Sequence, residues 1–433
     1  MPSIISLTST AEDFPLEPVP ATFSIPWGPL TVMRLGQFAT LAQLFMGATL
    51  GFNMGIIPAF IGLAVGTVIL LLIATPMGII GCQTRQATAL ITRRVGLGVV
   101  GSGVFSVVAG LSVMGWFAVQ TSLFASGLKA FAGAGAGWLW TMVAGLTVTV
   151  MVYGGILAMR WIANITMPLF VVMLGIGLSR VITRGVTLHL LHGPSGHILT
   201  VSEAITLVVG SFVTGAVVSP DMTRFQRSNQ EVIKQTLVSF LVGNGLIAGV
   251  GILLGQMLRT TNVTGSLIGA LPGLAGLLLF VTSTIKVSDW DIYGSSLALV
   301  NGLDLLGVRG VGRKRMTLVV GIMGTLLAMA GMVNSFEPFL IVLGVAIPPV
   351  AVIVIVDWVL GGRSADASLL RGADKGNHPL SLTVWALVAW LAGFAVGRWL
   401  PWGIGTVNSL LAAGVIYGLG RLIQHQRRLP LAS

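Results

Sequence analysis

Long apolar stretches separated by short polar ones dominate the chain, and they set its class before any other feature does. At 1.5 Å rise per residue, a helix needs about 20 mostly apolar residues to cross the hydrocarbon of a bilayer. Twelve such runs can be read, at 28–52, 56–81, 97–127, 134–158, 161–182, 199–219, 233–257, 270–301, 316–334, 338–360, 379–399 and 403–424. We number them spans 1 to 12; span 8 has the least regular boundaries and room for a short external helix. Soluble domains carry about 25% charged residues. This chain has 9%, against 55% hydrophobic, which leaves too little polar surface to coat a globule. The pattern predicts an all-α polytopic membrane protein with 12 transmembrane helices.

Charge placement tests that count. With the amino terminus in the cytoplasm, 17 of the 24 Lys and Arg residues fall in loops on the cytoplasmic side and 5 on the other, with Arg34 and Lys286 inside spans. This is the positive-inside asymmetry, and it places both termini in the cytoplasm. The net charge of +11 therefore reports topology and contact with the lipid bilayer, and no nucleic acid partner is expected. Met1 to Pro26 holds Glu12, Asp13 and Glu17, with no Lys or Arg and no apolar run. It reads as an acidic tail rather than a cleavable signal. One cysteine, Cys82, excludes an intramolecular disulfide. The expected organisation is a cytoplasmic tail at 1–27, a five-helix repeat at 28–182, a second at 183–360, and two peripheral helices with the cytoplasmic carboxyl terminus at 361–433. Five spans per half give the halves opposite membrane orientations, the geometry of an inverted repeat whose binding site lies near the midplane at broken helices.

Candidate chemistry concentrates on four spans. In span 1, Gly47, Gly51 and Gly55 make a smooth packing face, whereas Gly36 to Thr40 is a candidate for an unwound segment with exposed carbonyls. Gly210 to Gly215 in span 6 is its expected counterpart. In span 3, Trp116 and Gln120 are four apart and share a helical face. An aromatic plate and a carboxamide with both donor and acceptor suit a planar heterocycle; the plainer alternative is an interfacial Trp with a helix-linking Gln. Span 8 carries Lys286 and Asp289, three apart. A Lys at the centre of a span costs about 2.5–3.5 kcal/mol on insertion scales, so it is normally paired or functional. A structural ion pair and a built-in cation both fit. Asp357, beyond Ile347-Pro348-Pro349, reads as an anchor for the inner end of span 10. His189, His192 and His197 read as a polar external loop rather than a metal site. There is no Walker loop or zinc-protease motif, so no enzyme and no cofactor are expected.

Several stretches resemble the nucleobase:cation symporter-1 family, within it the bacterial cytosine permeases. They are Leu35-Gly36 with Gly47 to Gly51, Gly115-Trp116-Phe117, Val209-Gly210-Ser211-Phe212 leading to Asp221-Met222-Thr223-Arg224-Phe225, Tyr293-Gly294-Ser295-Ser296-Leu297, and Ala346-Ile347-Pro348-Pro349 leading to Asp357. The resemblance implies a LeuT-type 5+5 inverted repeat with two extra helices and alternating access. It implies a ring held between Trp116 and Phe212, with Gln120 at the position where hydantoin-type members place a Gln. Cytosine permeases have a Gln three residues before the Trp, where this chain has Val113. Cytosine, another pyrimidine, a purine and a hydantoin-like ring therefore all stay open. The family's sodium site implies carbonyl ligands at Gly36, Thr40 and Ser283, but its two hydroxyl positions fall on Lys286 and Val287. An ammonium there would repel sodium at low dielectric.

The resulting expectation is a sodium-independent permease in the cell (inner) membrane. Trp116, Gln120, Phe212, Ser211, Thr214 and Asp289 contact the substrate, and Lys286 stands at the cation position. Proton coupling would follow if Lys286 deprotonates during the cycle, facilitated diffusion if it stays charged. A LeuT-type transporter of an amino acid or other small metabolite is one alternative, and a channel or non-transporting scaffold is another. Polar groups gathered on spans 1, 3, 6 and 8 favour a single occluded site over a pore.

Overall fold

The computed structural model describes residues 18–20, 22–132, 135–153, 198–263, 274–361 and 380–428, with isolated positions between 172 and 194; for 130, 274–287, 289, 290 and 425–428 it describes the backbone alone. Every regular element among them is helical. Span 5 falls outside the described residues apart from isolated positions, as do His189, His192 and His197. Seven helices among those described are long and apolar enough to cross a membrane.

Span 1 is broken. Helix α1 (Trp27–Phe38) stops, and α2 (Leu41–Met54) starts after a turn at Ala39–Thr40. The Thr40 amide bonds the Phe38 carbonyl at 2.8 Å, and the Gln43 amide bonds the Thr40 hydroxyl at 3.0 Å. In a continuous helix these amides would close on Gly36 and Ala39. Both carbonyls thus lose their helical partners. The unwinding expected over Gly36 to Thr40 is real but shorter, with Gly36 still in the last turn of α1.

Next come α3 (Ile56–Thr84), α4 (Thr88–Arg94), α5 (Gly98–Ala132) and α6 (Gly137–Tyr153). Span 6 is α7 (Val201–Val217), followed by the single turn α8 (Pro220–Thr223). Thr200 and Glu203 close a capping box at the start of α7. The Gly210 to Gly215 stretch is not unwound. Gly210 faces the Leu340 carbonyl so closely that a methyl group there would overlap it, so its smallness serves close packing while its backbone stays helical. Span 7 is α9 (Asn229–Leu258) with a π turn at Ser239–Asn244.

Without a hydrophobic drive between helices in lipid, small residues set how closely they meet. Gly47 and Gly51 on α2 face the Ala248 and Ile252 carbonyls of α9, while Gly251 and Gly255 face the Leu44 and Ala48 carbonyls in return. A side chain at any of the four would collide with backbone. The packing reading of Gly47 and Gly51 is the one the structure shows.

Span 8 is α10 (Leu274–Leu305) and span 9 is α11 (Arg313–Met329). Helix α10 lies antiparallel along α5. Ser295 donates to the Gly110 carbonyl at 2.7 Å, Gly110 faces Leu299, and Gly103 faces Leu305 and Leu306.

Span 10 breaks at Ile347 into α12 (Phe336–Ala346) and α13 (Pro348–Leu360). Pro348 and Pro349 have no N–H, so Gly344 and Val345 lose their donors, and Val350 bonds Ile347 rather than Ala346. The two peripheral helices, α14 (Leu380–Trp399) and α15 (Gly405–Arg428), compensate. Thr406 donates to the Gly344 carbonyl at 2.7 Å, and the Trp390 indole N–H donates to the Ala346 carbonyl at 2.6 Å. Asp357, fully buried, accepts the Gly96 amide at 2.9 Å and pairs with Arg421 at 2.8 Å. It ties α13 to the α4–α5 turn and to α15, as its anchoring role predicts.

Trp390→Phe keeps the packing but removes the donor at Ala346. A buried carbonyl left unpaired costs about 1–3 kcal/mol, so the melting temperature of the purified protein should fall. Substitution of the exposed Trp399 by Phe is the control and should leave it unchanged.

Candidate functional site

The break in span 1 gathers the buried polar side chains around it. Gln43, in the first turn of α2, is 3% exposed. Its Nε2 donates to the Asn244 Oδ1 on α9 and reaches Ser211 Oγ on α7 at 3.5 Å. Asn244 Nδ2 donates in turn to Thr67 Oγ1 on α3 at 2.8 Å. Four elements meet in this network, and the π turn that ends at Asn244 sets the asparagine within reach. In the sequence Gln43 is one of several polar residues interleaved in span 1, with Gln37, Thr49 and Asn53, and nothing local singles it out. Asn244 and Thr67 carried no signal, because their partners lie 201 and 177 positions away.

On α5, Trp116 sits edge-on to Phe336 and Phe339 of α12, with ring centroids at 6.0 and 5.7 Å. Phe336 also packs on Phe45 of α2 at 5.0 Å. At the same end, the Asn53 amide donates to Glu337 at 3.1 Å. Gln120, one turn beyond Trp116, is 3% exposed and makes no hydrogen bond among the described residues. Thr214, three residues beyond Ser211, is likewise buried with an unpartnered hydroxyl. Two buried polar side chains without partners are costly in an apolar medium, and each is available to a ligand.

Phe212 points the other way along α7. It stacks on Phe38 with centroids 3.8 Å apart and planes 24° from parallel, and Phe240 meets both edge-on. Below these rings lies Arg34 of α1, 2% exposed. Its guanidinium donates to the Gly215 carbonyl and to Ser219 Oγ, both at 2.9 Å, and stands 5.8 Å from the Phe212 centroid. A buried arginine is held by such a fork of donors and by ring faces. Sequence reasoning had set Arg34 aside as merely lying inside a span; a lone Arg in an apolar run was the available signal. Trp116 and Phe212 thus do not touch, and each ring is engaged by a different set of aromatics. Gly36 and Thr40 lie at the break, and the Thr40 carbonyl retains a weak bond from Leu44 at 3.3 Å. Ser283, Lys286 and Asp289 lie on the backbone of α10; their side chains fall outside the described residues. No group of three or more His, Cys, Asp or Glu suited to a metal occurs among the described residues.

Residues 27–418 match the family described as permease for cytosine/purines, uracil, thiamine, allantoin. The cytosine permease of Escherichia coli (strain K12) is 28% identical over 389 residues, covering 90% of this chain and 89% of that protein. Among solved structures, the nucleobase-cation-symport-1 family transporter Mhp1, closed with bromovinylhydantoin bound, superposes with a TM-score of 0.74 at 18% identity, covering 97% of each chain. Mhp1 facing inward gives 0.73 at 18% identity, covering 95% of this chain and 93% of that one. A Na+-coupled sialic acid symporter gives 0.61 at 13% identity, with 96% and 93% covered. The fold is accordingly the LeuT-type fold of Mhp1. The chain belongs to the family of permeases for cytosine/purines, uracil, thiamine and allantoin, and is a multi-pass membrane transporter rather than an enzyme.

Proposed function

We propose that this permease carries a planar nucleobase-type or hydantoin-type ring through a single occluded site beside the break in span 1. The observation that carries this reading is the meeting of Gln43 and Ser211 beside the break, with Thr214 one turn further along α7 and its buried hydroxyl unpartnered; Gln120, buried on α5, is assigned to the same site. Trp116 stacks on the ring and Gln120 pairs with its edge. Ser211 and Thr214 complete the polar contacts. Phe212, covered on one face by Phe38, closes the Arg34 end, while Phe336 and Phe339 close the other. Both termini lie in the cytoplasm, which makes the Arg34 end the inner one, and the two five-helix halves meet at this site.

The α5–α10 register supports a contribution from span 8. Gly110 lies beside Ser295 and Leu299, and Gly103 beside Leu305. Both helices rise equally per residue, so continuing the antiparallel register brings positions of about 287–291 level with Trp116 to Gln120, with Lys286 one residue beyond. Asp289 then joins the substrate contacts, and Lys286 occupies the position that a sodium ion takes between Gly36, Thr40 and Ser283. Transport is sodium-independent, and it is proton-coupled if Lys286 releases its proton during the cycle.

The test is thermal stability of the purified protein against a panel of nucleobases, hydantoins and amino acids, each with and without sodium. A ligand at 100 times its dissociation constant stabilises by about 2.7 kcal/mol. One heterocycle should raise the melting temperature equally with and without sodium, and Lys286→Ser should make that rise sodium-dependent. A rise in the unmodified protein that requires sodium contradicts the role of Lys286, and a rise only with amino acids contradicts the heterocycle. Separately, Arg34→Lys keeps the charge but not the fork that bridges Gly215 and Ser219. It should cost about 1–3 kcal/mol, seen as a lower melting temperature without ligand; an unchanged value would show that the fork does not hold α1 to α7.

A further inference from the structure

The orientation of the Gln43 amide is dictated from outside the site. Thr67 Oγ1 lies 2.7 Å from the Leu63 carbonyl oxygen. The carbonyl has no hydrogen, so the threonine proton must lie between the two oxygens. Thr67 can then only accept from its other neighbour, and the Asn244 atom at 2.8 Å must be the amide nitrogen. That turns the Asn244 oxygen towards Gln43, which must answer with its own nitrogen. Ser211 is compatible with that orientation without imposing it: its proton lies on the Val208 carbonyl at 2.7 Å, and its oxygen stands 3.5 Å from the Gln43 nitrogen, too far to fix the amide by itself. The Gln43 nitrogen thereby faces protein acceptors. Its carbonyl oxygen has no partner among the described residues.

We infer that Thr67 and Asn244 are positioning residues that make Gln43 an acceptor-only group, so that the site selects rings presenting an N–H donor there. Thr67 touches Asn244 and not Gln43; it acts two hydrogen bonds away, through the π turn of α9. This rests on the heterocycle reading above and specifies which edge of the ring the α2 wall accepts. A ring bearing an oxygen at that point would set two lone pairs against each other. One bearing an N–H meets an amide oxygen already oriented, with no side-chain freedom left to lose on binding.

The experiment compares rings that differ only by N–H replaced by O: hydantoin against oxazolidine-2,4-dione, and uracil against its 1-oxa and 3-oxa analogues. Dissociation constants are measured on the unmodified protein, on Thr67→Val, which keeps the shape and removes the hydroxyl, and on Thr67→Ser, which restores it. The unmodified protein should lose about tenfold or more in affinity at one ring position. Thr67→Ser should retain that discrimination. In Thr67→Val the asparagine can turn over and let Gln43 offer its N–H, so the ratio should fall below about threefold while the N–H parent still binds. Equal affinity for both members of every pair in the unmodified protein would overturn the proposal without variants, and so would undiminished discrimination in Thr67→Val. If none of the N–H parents binds, the heterocycle reading itself fails and the proposal with it. That outcome is distinct, because it shows in the parents rather than in the ratios.

Discussion

A backbone carbonyl in hydrocarbon has no water to turn to, so a helix can break inside a membrane only where some other group answers the carbonyls the break exposes. In this transporter the constraint is met in two different ways. At Ile347 the proline pair strips donors from span 10, and Thr406 and Trp390 of the peripheral helices answer two of the freed carbonyls, those of Gly344 and Ala346. At Ala39–Thr40 no side chain among the described residues takes over the Gly36 and Ala39 carbonyls, and Gln43 and Ser211 stand beside the break. One break is braced by the peripheral helices, and the other is the one we propose for the ligand.

The rest of the architecture follows from holding the second break open without losing the fold. Glycines carry α2 into contact with the backbone of α9, so the half-helix beyond the break is braced along its length. The two ends of span 1 are tied by different chemistry: Asn53 on α2 to Glu337 at one, and Arg34 on α1 to Gly215 and Ser219 at the other. Alternating access requires such ties to form and release. The first is one hydrogen bond and the second two, each worth about 1.5–3 kcal/mol because a charged group is involved, a scale that a bound ligand can offset.

Much of the fold was legible because bilayer thickness fixes span length and short loops fix order. The break in span 1 was legible from Gly36 to Thr40, although the turn falls at the end of that stretch. Gly210 to Gly215 misled because glycine serves close approach as readily as unwinding, and local sequence does not say which. The Leu340 carbonyl that settles the matter is 130 positions away. Within the site, Trp116 and Gln120 were legible as a pair on one face. The Asn244–Thr67 relay was not, since an Asn and a Thr in apolar spans acquire meaning only once α3 and α9 are set beside α2. Phe38, an unremarked apolar residue of span 1, turned out to cover the face of Phe212.

The central claim is that one planar ring binds beside the span 1 break, and a cryo-electron-microscopy map of the protein in lipid nanodiscs with its stabilising heterocycle tests it most directly. The account predicts ring density between Trp116 and α2, within hydrogen-bonding distance of Gln43 and Gln120, with Ala39–Thr40 still unwound. Ring density elsewhere, or a continuous helix through residues 36–43 in the bound form, would contradict it.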